Sequence, residues 1–277
     1  MMSTSPPVKA SGPTRLVMAD AHVHLYPVYD PGVALETLAR QLRAHAAPEA
    51  NPFLMAFLAE SQGHDFFSKL RKQPDMILPH RVIPGPEDRC LTVQLKTGFS
   101  LCLVAGRQMA THERLEVLGL GLETPIPDGL SAEDTIRRIQ DSGGLPVLPW
   151  ALGKWLFARG KQVERLLREE SRMVRAVGDS SMRPPCWPRP RAFKLAAQQG
   201  LAVLPGSDPL PFAGEERMMG AYGFACEGAF EEGKPLSSFR RLLKESPSAF
   251  WPVGHRSGLL EVFRRMQALR AAKWSQR

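Results

Sequence analysis

Hydrophobic positions fall into short runs separated by glycine, proline and charge, and the spacing within each run predicts its element. Residues 15–25, RLVMADAHVHL, read as a strand, and VALETLARQLRAH at 33–45 has the three-to-four-residue spacing of a helix. PFLMAFLAESQG at 52–63 reads as a second helix. Four apolar runs follow, DMILPHRVI, CLTVQLK, FSLCLVAG and LEVLGLG, which predict strands paired in part as hairpins. From residue 130 the chain alternates regularly. LSAEDTIRRIQDSGG is a helix with Ser131 as its N-cap, Asp134 as a capping-box-like partner, and Gly143 and Gly144 as its stop. LPVLPW, MVRAVGD and LAVLPGSD then read as strands, separated by helices in WLFARGKQVERLLREE and RAFKLAAQQG. GAYGFACEGAF predicts a closing strand, and helices are expected at about 236–245 and 256–272. The last sets Leu259, Leu260, Val262, Phe263, Met266 and Leu269 against arginines, which predicts a packing face. Such alternation implies an α/β protein with a parallel sheet or barrel.

Composition narrows this only a little. The 277 residues suffice for one barrel, and the 43% hydrophobic content is that of a globular protein. The net charge of +8 raises nucleic acid as a partner, but the basic residues are scattered among acidic ones, which argues against such an interface. A small anionic substrate accounts for the charge equally well. Cys90, Cys102, Cys186 and Cys226 form no C-x-x-C pair, so a reducing, cytoplasmic setting is expected. No run approaches a membrane span, and residues 1–15 read as a disordered leader to a single domain at 16–277 with C-terminal helices. Oligomeric state is left open.

The chemistry concentrates in MADAHVHLYP, residues 18–27. Strand alternation puts Asp20, His22 and His24 on one face, and imidazoles at i and i+2 can converge on one cation while a carboxylate orients a ring or bridges to a second ion. Asp179, just after a predicted strand, is a candidate base, although a loop aspartate reads the same way. Arg107, Lys154 and Arg183 are candidates to neutralise a phosphate. The Gly153–Lys154 pair is not a phosphate-binding loop, since Leu148 and Trp155 stand where that motif needs Gly and Ser/Thr. His80 and His112 read better as structural, and His45, His64 and His255 as surface residues. The Pro-rich MRPPCWPRPR at 182–191 is a rigid loop, readable as lid or linker.

DAHVHL resembles the opening motif of the PHP (polymerase and histidinol phosphatase) family of metal-dependent phosphoesterases. VAGRQMATHERLEVLGLG resembles its second motif, DTIRRIQDSGGLPVLPW its helix, glycine pair and strand, and LAVLPGSD its late aspartate strand. The resemblance implies a distorted (β/α)7 TIM-like barrel and a site in which His22, His24 and Asp208 hold a divalent metal (Zn, Mn or Fe). Asp20 would lie behind these ligands or on a second ion. Three family ligands are replaced: Gln108 stands for a bridging glutamate, Pro149 and Trp150 for a histidine, and Leu210 for another. Glu116, Glu123 and Asp179 are the carboxylates that could compensate. The expectation is therefore a hydrolase, a phosphoesterase with a reduced site of one ion. The alternatives are a PHP-like scaffold that binds without turnover and a mononuclear amidohydrolase-like enzyme.

Overall fold

β1 (Thr14–Val23) is apolar from Leu16 to Ala19 because both of its faces are covered there, and it is an interior strand of the larger of two sheets. The computed structural model describes residues 12–169 and 173–275. Of the expected leader, residues 1–11 lie outside the described residues, and Thr14 and Arg15 already belong to β1. After β1 come α1 (Pro31–Ala44), β2 (Phe53–Leu58), α2 (Phe66–Lys72), β3 (Arg81–Pro84), β4 (Cys90–Gln94), β5 (Ser100–Val104), β6 (Gly106–Ala110) and β7 (Glu116–Leu120). The chain continues through α3 (Ala132–Asp141), β8 (Leu145–Pro149), α4 (Phe157–Glu169), β9 (Ala176–Ser180), α5 (Arg191–Gln198) and β10 (Ala202–Gly206). It ends in β11 (Tyr222–Ala229), α6 (Pro235–Glu245), β12 (Phe250–Gly254) and α7 (Leu259–Ser275). None of these helices is long and apolar enough to cross a membrane.

The fold is mixed α/β, with strand orders β12-β11-β1-β2-β5-β4-β3 and β10-β9-β8-β7-β6. β8, β9 and β10 are parallel, as the late alternation predicts, whereas β3–β4–β5 and β6–β7–β8 run antiparallel. The ladders stay in two sheets and do not close into a barrel. The sheets meet at two seams. At one, Glu60 bridges Arg107, with Glu60 N–H donating to Gly106 O and Gln108 N–H to Glu60 O. At the other, Asp208 N–H donates to His22 O. Both seams need glycine: a Cβ at Gly106 would lie 1.9 Å from Leu58 O, and one at Gly206 would lie 2.5 Å from the His22 Cβ.

Three apolar layers result. Val17, Ala19, Met55, Phe57, Val147 and Leu204 pack between the sheets, closed by Phe239 and Leu242 of α6. α1 and α2 cover the outer face of the larger sheet, and α3, α4 and α5 that of the smaller. β2 corrects the helix expected at 52–63. Met55 and Phe57 face the inner layer while Leu54, Ala56 and Leu58 face α1, so both faces are apolar and no alternation shows.

The expected face of α7 is also corrected. Leu259, Leu260 and Phe263 are exposed, and the helix docks instead through Val262, Arg265 and the half-buried Met266. Arg265 is the anchor. Its Nε and Nη2 donate to the fully buried Glu215 carboxylate, and its Nη1 donates to the Ser181 and Ser257 hydroxyls. Breaking such a pair leaves a charge buried without its partner. Glu215→Gln should therefore cost about 3 kcal/mol of folding free energy, read as a lower urea midpoint at unchanged slope.

Candidate metal centre

The site is built at the end of β1, where the ladder to β2 slips: Asp20 pairs with Ala56, but Val23 pairs with Leu58. One extra residue on β1 is a bulge, and a bulge re-aims the side chains beyond it. Before the slip Ala19 packs between the sheets and Met18 outside; beyond it Val23 and Leu25 are the outside residues. His22 and His24 thereby converge, with their Nε2 atoms 3.0 Å apart. Asp20 does not join them. Its Oδ1 accepts from the backbone N–H of His22 and Ser207, both at 3.0 Å, and its Oδ2 from Gly220 N–H at 3.1 Å.

Asp208 follows β10 across the seam. It holds a left-handed backbone (φ 49°), which aspartate tolerates better than most residues, and the Ser180 hydroxyl donates to its Oδ2 at 2.9 Å. Its Oδ1 lies 3.6 Å from His22 Nε2 and 3.8 Å from His24 Nε2. Ligand atoms each about 2.0–2.1 Å from one cation sit about 3–4 Å from one another, so His22, His24 and Asp208 could hold a single ion. Gln108 Oε1 lies 2.8 Å from His22 Nε2, which places a neutral oxygen beside the cluster.

The electrostatics suit a cation. Burial, then the neighbouring His22, drives His24 down to about 3, so its ring is neutral and free to ligate at neutral pH. Burial pushes the Asp208 carboxyl up, but His22, His24, the Ser180 hydroxyl and Arg265 together outweigh it and lower it. Burial carries Asp20 up to about 6 against its hydrogen bonds. Tyr26 stacks on His24 at 5.1 Å and meets His64 edge-on, and its hydroxyl is raised by burial and then by Asp208 and Glu116.

The other candidates are spread over the molecule. Lys154 pairs with Glu116. Arg107 is buried and fully engaged: Nε donates to Glu123 O, Nη1 to His64 O and Nη2 to Asp65 Oδ1. Asp179 and Arg183 pair with each other, and Tyr222 donates to Asp179 Oδ2 at 2.8 Å. Asp179 and Ser180 alternate across β9, so Asp179 faces away from the cluster that Ser180 supports. Trp150 is buried in the outer layer against Trp187, and the Leu210 carbonyl accepts from Tyr29 while its side chain packs in that layer. Glu123 binds Arg71, His112 is exposed beside Glu113, and His80 is buried, accepting from Lys96 N–H. His45 bonds the Gly220 carbonyl. Sequence reasoning missed Glu215 and Arg265, which carry no local motif, and it set aside His64. His64 lies close enough to His24 to act on its charge.

No family model matches the chain. It is 38% identical over 73 residues to MJ1587 of Methanocaldococcus jannaschii, a match covering 26% of this chain and 40% of that protein. The structure of PsfC from Pseudomonas syringae superposes with a TM-score of 0.56 at 14% identity, covering 95% of this chain and 99% of that one. A two-domain protein from Bacteroides vulgatus, containing a predicted PHP-like metal-dependent phosphoesterase, gives 0.51 at 11% identity over 96% of this chain and 75% of its own. The chain shares its fold with that protein. The lesion-specific endonuclease PfuEndoQ from Pyrococcus furiosus gives 0.52 at 13% identity over 83% of this chain and 56% of its own.

Two predictions follow from the geometry. Asp20→Asn keeps one acceptor and turns an NH2 group on a buried N–H, which should cost about 2 kcal/mol in chemical unfolding and weaken metal binding by shifting His22 and Asp208. In metal-free protein, His24 is held well below the 6.5 of an unfolded histidine, so the unfolded chain takes up the proton first. The stability tied to His24 is therefore full above about pH 6.5 and lost as pH falls toward 3. Urea midpoints from pH 7 to 4 should fall more steeply for the wild type than for His24→Gln.

Proposed function

We propose that the protein is a metal-dependent hydrolase, a phosphoesterase that acts on a small anionic substrate at a mononuclear site. The observation that carries the reading is the convergence of His22 Nε2, His24 Nε2 and Asp208 Oδ1, with Gln108 Oε1 beside them. The PHP-like fold shared with the Bacteroides vulgatus protein supports it. His22, His24 and Asp208 would hold the ion, and a bound divalent cation supplies a Lewis acid that polarises a phosphoryl oxygen and lowers the pKa of water. The rest falls to the chain. Ser180 and the Asp208 backbone hold the carboxylate in place, and Tyr26 covers one face of His24. Lys154, half-exposed and paired with Glu116, would be the cation that meets an incoming anion. Arg107 is bound on all sides by protein and acts by holding residues 60–65 to β6.

Gln108 favours a second reading. An amide cannot bridge two ions as a carboxylate does, so a scaffold that binds metal or ligand without turnover is the rival. A mononuclear amidohydrolase-like enzyme is distinguished by its substrate alone. Protein purified without chelators should contain about one Zn, Mn or Fe per chain and hydrolyse 4-nitrophenyl phosphate. His22→Ala should remove the metal and lower kcat/KM by roughly a hundredfold or more. Gln108→Glu should raise metal affinity by adding a charged oxygen next to His22. A chain that takes up no metal from Zn, Mn, Fe or Mg would sink the proposal. Metal without esterase activity would leave amide and lactone substrates to separate the two rivals.

A further inference from the structure

The segment 182–191 plays no part in the metal centre. It walls a solvent-open cavity of about 760 Å³ bordered by β9, β10, α5, β11 and β12, large enough for a small organic molecule. The cavity lies on the Asp179 side of β9, opposite the side from which Ser180 reaches Asp208. Its lining carries three arginines, Arg183, Arg189 and Arg256, against a single carboxylate, Asp179. That carboxylate is already satisfied by Arg183 and the Tyr222 hydroxyl. Arg189 and Arg256 have no ion-pair partner among the described residues, and Arg256 Nη1 is buried with no acceptor at all. A buried guanidinium N–H without an acceptor is costly, and its natural complement is an anion. The remaining lining is flat and apolar, from Trp187, Phe193 and Phe250.

We propose that this cavity is a second ligand site, separate from the metal centre, that takes a small organic anion with a planar apolar body. Arg256 and Arg189 meet the anionic group, while Trp187 and Phe250 flank the ring. Arg183 is a positioning residue. Clamped to Asp179 and lying over the Phe193 ring at 5.4 Å, it fixes the wall. The sulfonate 2-naphthalenesulfonate tests the site, because a phosphoesterase cannot turn it over. Calorimetry should show one saturable site in the wild type, with 2-naphthol and inorganic sulfate at least about tenfold weaker, since each offers half of the complement. Arg256→Ala and Trp187→Ala should each weaken binding about tenfold or more. Arg256→Gln, which keeps the polar volume, gives the same readout should the alanine variant not fold. His22→Ala, which removes the metal centre, should leave binding unchanged. The proposal is overturned if the probe does not saturate, or if binding survives both Arg256→Gln and Trp187→Ala, which would put it outside this cavity. It is equally overturned if His22→Ala abolishes binding.

Discussion

Asp20 is a carboxylate with no solvent contact whose two oxygens collect three backbone N–H groups from distant parts of the chain. One belongs to His22, one to Ser207 beside Asp208, and one to Gly220 at the entry to β11. Those groups would otherwise be buried donors without acceptors, each costing about 1–3 kcal/mol. The same bonds fix where the two halves of the metal cluster stand relative to each other. Burial still raises Asp20 to about 6, so three hydrogen bonds do not fully repay its desolvation. A shift of that kind commonly flags catalysis. Here the carboxylate is held by the backbone N–H groups of His22, Ser207 and Gly220, and it ties distant parts of the chain together.

The seam that Asp20 secures explains how two separate sheets can present one site. Continuous ladders would hold β1 and β10 about 4.8 Å apart along their length. The bulge and the bare Cα of Gly206 allow a backbone crossing bond, from Asp208 N–H to His22 O, beside the one from Ser207 N–H to the Asp20 carboxylate. Gly106 does the same at the other seam, beside Gln108. Ligand-bearing residues thus sit where regular pairing stops and side chains are free to turn inward. α7 closes this end from outside through Arg265, whose charge also helps hold Asp208 ionised.

Much of this was legible in the sequence. The β–α alternation from residue 130 and the Ser131 cap come from local spacing, and the structure has them as expected. The grouping of His22, His24 and Asp208 was legible because a strand-end H-x-H is a local pattern and LAVLPGSD resembles the late aspartate strand of the PHP family. What failed depended on neighbours. β2 hides its periodicity because apolar layers cover both faces, and α7 shows an apolar stripe that is not the one it buries. The bulge after Asp20 has no signature in DAHVH, so alternation alone groups Asp20 with the histidines. Charge misleads similarly. Arg89 and Arg240 bind carbonyls at the end of α3, and Arg107 binds the carbonyls of His64 and Glu123, so part of the basic excess works as internal hydrogen-bond donors.

β9 ties these observations together. Its last two residues face opposite ways: Ser180 donates to Asp208 in the metal cluster, and Asp179 clamps Arg183 and Tyr222 at the cavity. Tyr222 opens β11 two residues beyond Gly220, whose N–H binds Asp20. The cavity wall and the metal ligands are therefore joined by short, buried, hydrogen-bonded connections on both β9 and β11. A strand that is hydrogen-bonded along its length and packed on both faces is a stiff support. It holds Ser180 against Asp208 on one face and Asp179 against Arg183 and Tyr222 on the other, so each site keeps its own geometry.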